Sequence, residues 1–303
     1  MTVGAVLFRT PAGDLRAPWR IALFGVVLAV VGVAVTAIGF SVASATPLTG
    51  WARQARLPLD QFAITLSVLV ATWVTGRMGD GGTGAVWTRV GLGRAAWRIR
   101  PVALCAVIGA LVVALPTLAM VTGGAIRFEP ATATDSAFTT AWAAFALMLP
   151  AAVSEEALVR GYVFTACRDG MGTSGAVIVT SVAFGLAHLA NPDPTALSLV
   201  AVACAGGFLA IVRVVTGSLV AAIAAHLAFN LTQSVALHAP VSGVALQTPG
   251  YRAAAVGPDW LTGGPWGPEG GVGVIVALAL ASFLLITVAR KRQMVVSTEL
   301  LPP

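Results

Sequence analysis

Apolar residues in this chain come in long unbroken runs separated by short polar segments, and the length of those runs decides the fold class. A helix rises about 1.5 Å per residue and needs about 20 residues to cross the hydrocarbon of a bilayer. Eight runs come close to that length, roughly at residues 20–44, 58–76, 101–122, 137–167, 174–191, 195–213, 217–237 and 271–290. The ten-residue alternating segments of a membrane β-barrel do not occur. The pattern predicts an all-α fold, a polytopic transmembrane helical bundle of about eight helices. The first run ends in Ala43-Ser44-Ala45, which looks like a signal-peptidase site. Its apolar stretch, about 25 residues, is well past the 7–15 of a signal-peptide core, so it is read as a retained helix. No internal repeat of fixed period is evident, nor are the inverted repeats of transporters.

Composition sharpens this picture. Apolar residues make up 57% of the chain and charged residues 10%, against roughly 25% charged in an ordinary soluble domain. The net charge of +6 is no nucleic-acid footprint. Its basic residues, one lysine and seventeen arginines, lie mostly in the short segments flanking apolar runs, as in positive-inside anchoring. With both termini inside, and Arg160 set aside, the inner segments hold 13 basic residues and the outer ones 4. The expectation is a multi-pass integral protein of a bacterial plasma membrane, with both termini cytoplasmic and no nucleic-acid partner. Cys105, Cys167 and Cys204 stand singly in or beside apolar runs and imply packing, not a disulfide framework or thiolate metal site.

Three segments follow from the runs: 1–136 with three spans, 137–237 with four, and 238–303 with the last span and a basic tail. Residues 77–100, glycine-rich at 79–84 and then basic with Trp87 and Trp97, read as an inner interfacial stretch on anionic headgroups. Residues 238–270 contain Gly263-Gly264-Pro265-Trp266-Gly267-Pro268 and are expected to be an irregular, mobile outer loop.

The unusual polarity is confined to spans four to seven. Ionisable side chains inside a bilayer cost several kcal/mol and are kept mainly where chemistry or transport demands them. In Ser154-Glu155-Glu156-Ala157-Leu158-Val159-Arg160, Glu156 and Arg160 stand on nearly the same helix face, and Glu155 points about 100° away. Glu156 can therefore pair with Arg160, leaving Glu155 to hold or deprotonate a water. A structural ion pair beside a snorkelling glutamate is the blander alternative. Phe184 and His188 lie one turn apart, with Gly185 and Ala187 flattening the helix for a close neighbour or a cavity. Phe184 reads as a wall. His226 and Asn230 repeat the spacing, and two polar groups on one face of an apolar helix must look into protein or water.

Depth argues for one site. If Asp169–Thr173 is a turn, Glu155 lies 14 residues before it and His188 lies 15 residues after it, so both sit about 21 Å from it on antiparallel helices. Counting from Gly217 puts Asn230 about 20 Å and His226 about 14 Å from the same face.

Glu-Glu-x-x-x-Arg, then Phe-x-x-x-His, then His-x-x-x-Asn, in this order on separate helices, resembles the CPBP (Abi) family. That family comprises type II CAAX prenyl endopeptidases and bacteriocin-processing enzymes. The resemblance covers roughly residues 137–237. It implies an intramembrane endopeptidase in which Glu155 and His188 activate water, while His226 and Asn230 stabilise the oxyanion. Glu156, Arg160 and Phe184 would support the site. Family members are often called metalloproteases, and Glu155, His188 and His226 would make a zinc set of carboxylate and imidazoles. No HExxH is present, and a glutamate–histidine scheme needs no metal, so the metal-free scheme is preferred and zinc stays the alternative. Expected partners are membrane lipids and peptides or proteins with a hydrophobic or lipidated segment. Positive-inside counting puts the site in the outer half of the bilayer, whereas prenyl-protease members act on cytoplasmic tails; the two readings conflict. An inactive immunity or scaffold protein, and a proton-coupled transporter, are the rival functions.

Overall fold

The computed structural model describes residues 8–11, 13–45, 56–79, 85–131, 136–246 and 249–299. In chain order, α1 spans Ala17–Ala45, α2 Arg56–Gly79, the single turn α3 Val86–Arg89, and α4 Ile99–Thr122. Strand β1 (Ile126–Pro130) leads to α5 (Ala137–Glu156), a π-helical stretch (Ala157–Val163) and α6 (Phe164–Ala187). Then come α7 (Ala196–Thr216) and α8 (Leu219–Leu231) with its π-helical tail Thr232–Ala236. Strand β2 (Tyr251–Ala255), the turn α9 (Asp259–Thr262) and α10 (Val272–Glu299) complete the order.

Among the described residues, six helical segments are long and apolar enough to cross a membrane. The expected eight are not reached one by one, for two reasons. The segment Ala137–Ala190 counts once although it is 54 residues long, or about 80 Å if straight. It is not straight: Gly172 sits at φ 79°, ψ 172°, which only glycine adopts without strain, and breaks the run inside the expected 169–173 turn. The run expected at 58–76 coincides with α2, which is not among the six.

The described chain falls into two compact units, Met1–Ala95 with Phe145–Val179, and Ala96–Ala144 with Thr180–Pro303. In the first, α1 packs along α2, whose buried face carries Ser67, Ala71 and Thr75 at intervals of four. Small residues at that spacing let helices approach closely where no hydrophobic force drives them together. Val26, Val30 and Val33 of α1 stay exposed, as lipid-facing side chains do. Tyr162 is fully buried; its hydroxyl accepts from Arg20 Nε and donates to the Thr75 carbonyl, each at 3.3 Å. Asp169 gathers Arg20 at 2.8 Å, Arg89 at 2.5 Å and Arg168 at 3.5 Å. Three cations on one carboxylate pin the chain just before the Gly172 break.

In the second unit, α4 lies against α8 with Gly109 on the Ala225 carbonyl, where a Cβ would come within 2.2 Å of the oxygen. Val112, Val113, Phe208, Ala225, Phe229 and Leu278 fill the core between α4, α7, α8 and α10. Gly185 gives the end of α6 the same close approach to α7, because a Cβ there would lie 2.8 Å from the Leu199 carbonyl oxygen. The close neighbour expected from Gly185 is thus α7.

The segment 238–270 is more regular than the irregular loop expected from sequence. β2 pairs antiparallel with β1, from Ile126 opposite Ala255 to Pro130 opposite Tyr251. Beyond it, α9 and two 3₁₀ turns, Gly264–Trp266 and Pro268–Gly270, bring Trp266 to 1% exposure. Gly267 holds φ at 105°, and a Cβ there would sit 2.1 Å from the Pro240 carbonyl oxygen. Its glycines and prolines serve close packing, which composition alone does not distinguish from disorder. Residues 247–248 of this segment, and 80–84 of the glycine-rich stretch, lie outside the described residues. Trp87 and Trp97, expected at the headgroups, are both exposed.

Candidate active site

Glu155, Glu156 and Arg160 belong to the first unit; Phe184, His188, His226 and Asn230 belong to the second. Glu156 Oε1 and Arg160 Nη1 form the expected ion pair at 2.8 Å, and both side chains are wholly buried. The backbone supporting them is not a plain α-helix. It widens into the π stretch directly after Glu156, and Gly161 leaves helical geometry at φ −81°, ψ −109°. Thr165 Oγ1 donates to the Gly161 carbonyl at 2.8 Å, returning a hydrogen bond that the kink would otherwise cost. Such π segments concentrate at functional sites. Glu155 is half-buried and lies within electrostatic reach of Arg160.

In the second unit, Phe184 at 4% exposure touches both imidazoles. Its ring centroid lies 4.8 Å from that of His188 and 6.0 Å, edge-on, from that of His226. Phe184 thus lies next to both histidines. His188 Nδ1 is 2.8 Å from the Phe184 carbonyl oxygen. A carbonyl can only accept, so Nδ1 carries a proton and Nε2 is the ring nitrogen left outside this bond. His226 is 9% exposed, and Asn230 follows one turn later, half-buried.

One ionisable residue in this unit escaped sequence reasoning. Glu269, just before α10, is 7% exposed. Its Oε1 accepts from the Ser242 amide at 2.5 Å and the Ser242 hydroxyl at 2.7 Å. Burial pushes its carboxyl above the ordinary range, while the Ser242 bonds and the charges of His188 and His226 pull it down. Asn191 Nδ2 donates to the Ser242 carbonyl at 3.1 Å, so the loop after His188 is tied to the same serine. Ser242, Asp193 and His238 hold positive φ angles of 49°, 50° and 51°. Strain of that kind costs on the order of 1 kcal/mol per residue and clusters at functional sites. The sequence signal was present but thin: a lone acidic residue in a Gly-Pro-Trp segment next to a span.

The zinc alternative rested on Glu155, His188 and His226. Among the described residues, no group of three or more His, Cys, Asp and Glu side chains is arranged to hold a metal ion, and no step below runs through one.

The long apolar helices define a multi-pass integral membrane protein. Residues 137–232 match the family model described as Type II CAAX prenyl endopeptidase Rce1-like. That match covers about a third of the chain and agrees with the resemblance drawn from the three motifs. The matched third of the chain includes every site residue expected from sequence and excludes Glu269. No curated protein and no solved structure gives a significant match.

Proposed function

We propose that this chain hydrolyses peptide bonds of membrane-associated substrates that carry a hydrophobic or lipidated segment, using water activated by glutamate and histidine. The observation that carries the reading is His188, whose ring is fixed by the 2.8 Å contact of Nδ1 with the Phe184 carbonyl, so that Nε2 is the nitrogen left to meet a water. It stands within the Rce1-like segment, against the same phenyl ring as His226.

In this mechanism Glu155 takes a proton from water, with His188 orienting it, as the water oxygen bonds to the scissile carbonyl carbon. The carbonyl oxygen becomes an oxyanion and takes hydrogen bonds from His226 and Asn230. Collapse breaks the C–N bond, and the proton passes to the leaving nitrogen, giving a carboxylic acid and an amine. Glu156 and Arg160 neutralise one another and hold the helix around Glu155. The basic-residue count favours cytoplasmic termini.

The test is cleavage of fluorogenic peptides with apolar or farnesylated ends by the purified protein in liposomes. Glu155→Gln removes the base without changing side-chain volume and is expected to abolish turnover while expression and detergent extraction stay normal. Unchanged turnover in that variant sinks the assignment.

A further inference from the structure

We infer that the cavity between β2 and the Gly-Pro-Trp turns is a subsite for a basic side chain, lysine or arginine, of the peptide substrate, with Asp259 receiving its charge. The chemistry rests on the endopeptidase reading; the cavity rests on the geometry of the second unit alone.

A cavity of about 290 Å³ opens between Ala253 and Ala255 of β2, the Ala239–Pro240 segment and the turns around Gly267. Ligand cavities run from about 300 to 1,000 Å³, so this one takes a single side chain. Its walls are largely apolar, and only two polar side chains line it, Thr262 and Asp259. The Thr262 hydroxyl is used within its own turn, where it donates to the Pro258 carbonyl and accepts from the Gly264 amide, each at 3.2 Å. The Asp259 carboxylate makes no hydrogen bond or ion pair among the described residues. It lies against Gly264, where a Cβ would sit 2.7 Å from Oδ1, so only a glycine there leaves the carboxylate its place.

Strand alternation decides the sign of the site. Paired residues of an antiparallel ladder share a face, and successive residues alternate between faces. Ile126, Ala253 and Ala255 line the cavity. Arg127 and Arg252 stand at alternate positions of the same ladder, on the other face, where Arg252 Nη2 pairs with Glu129 Oε2 at 3.1 Å. The arginines of the sheet therefore stand away from the cavity, which presents apolar walls and one negative charge. Lysine and arginine match that surface, since they lay an apolar stem along such walls and carry their charge at the tip.

Hydrogen bonds tie the cavity wall to the helices that carry the histidines. The Pro240 carbonyl accepts from Gln233 Nε2, three residues beyond Asn230. Two residues further on, the Ser242 carbonyl accepts from Asn191 Nδ2 at 3.1 Å, and the Asn191 amide donates to the His188 carbonyl at 3.1 Å. A side chain seated in the cavity is thus held by the same framework as His188 and Asn230, so it can set the register of a peptide against them.

The experiment uses fluorogenic peptides with one apolar end and a single Lys, Gln or Glu scanned through the positions flanking the cleaved bond. Wild type, Asp259→Asn and Asp259→Lys are compared in nanodiscs. In wild type, kcat/KM is expected to favour Lys over Gln about 5- to 10-fold at one position, mainly through KM, as a charge-assisted contact in a partly open site does. Asp259→Asn should bring that ratio towards one, and Asp259→Lys should turn it in favour of Glu. Ratios within one variant do not depend on how much of it is folded. Wild type without a Lys preference at any position overturns the inference, whichever variants fold. So does a preference that Asp259→Asn leaves unchanged. Phosphatidylethanolamine retained by wild type but not by Asp259→Asn, with no peptide preference, gives the cavity to a lipid amine and overturns it too. Fluorescence anisotropy of the same peptides, labelled, separates this inference from the endopeptidase reading. Lys-selective binding that needs Asp259, in a protein that cleaves no peptide, leaves the subsite standing and removes the endopeptidase reading instead.

Discussion

Arg160→Ala is the perturbation whose cost the structure defines best. Both partners of the Glu156–Arg160 pair are at 0% exposure, with Nη1 and Oε1 2.8 Å apart. Removing the guanidinium strands the Glu156 carboxylate in a desolvated helix, and breaking a buried pair in this way costs about 3–5 kcal/mol. The backbone adds to the expectation, because the π stretch Ala157–Val163 and the Gly161 kink have no regular helical ladder to fall back on. Scaled with the unfolding entropy of soluble proteins, about 2.1 cal/mol/K per residue, the loss corresponds to a fall in melting temperature of about 5–8 °C. The assay is thermal unfolding of the detergent-solubilised protein alongside peptide cleavage at a temperature where the variant is folded. The double replacement Glu156→Leu with Arg160→Met supplies the control: it leaves no unpaired charge and should recover most of the lost stability. Activity should drop in the single and the double variants alike, since both lose the charge pair next to Glu155. A melting temperature and turnover unchanged in Arg160→Ala would refute the reasoning, because a pair that can be broken at no cost holds nothing in place.

The remaining expectations concern the second unit. His188→Ala should lower kcat by about 10²-fold, as loss of the group that orients the attacking water does, whereas Asn230→Ala should cost about 10²–10³, as loss of one oxyanion donor does; equal turnover of either variant and wild type in the liposome assay removes its role. Gly267→Ala meets both a φ of 105° and the Pro240 oxygen at 2.1 Å, so about 2–5 kcal/mol of destabilisation is expected, checked by hydrogen exchange at Ala253 and Gly243. His238, which stacks on Tyr251 at 4.0 Å, has its pKa lowered by burial. The unfolded segment therefore takes up its proton first, and the contribution of neutral His238 is present above the ordinary value near 6.5 and fades as pH falls towards the lowered folded value. Exchange protection of the β1–β2 pair should drop over that window and stop responding to pH in His238→Gln.

What the sequence made legible follows from how local each signal is. The bond from His188 to the Phe184 carbonyl joins residues four apart but was not foreseen. The Glu156–Arg160 pair has the same spacing and the apolar runs recur within one helix, so spacing alone revealed both. The same applies to Gly185, whose missing side chain forecast a close neighbour without saying that α7 would be it. The β1–β2 pair was invisible for the opposite reason. Its partners lie more than 120 residues apart, and the apolar–polar alternation of Ile126–Glu129 is too short to stand out and is not continued in Tyr251–Ala255. Glu269 failed on the same ground, since its bonds run to Ser242 across 27 residues of Gly- and Pro-rich chain.

That failure has a physical cause worth drawing out. Glycine and proline mark both the chain that does not fold and the chain that folds into tight turns, and they differ only in what is packed against them. In 238–270 the deciding contacts are non-local: Gly267 on Pro240, Gly243 on Trp266, Ser242 on Glu269. Each positive-φ residue in that set trades local strain for a contact that fixes the loop. A lone acidic residue inside such a segment, with no basic residue near it in sequence, has to find its compensation in space. Here it finds the amide and hydroxyl of Ser242, which ties the Gly-Pro-Trp segment to the loop that follows α8 and makes it more than the link between the last two long helices.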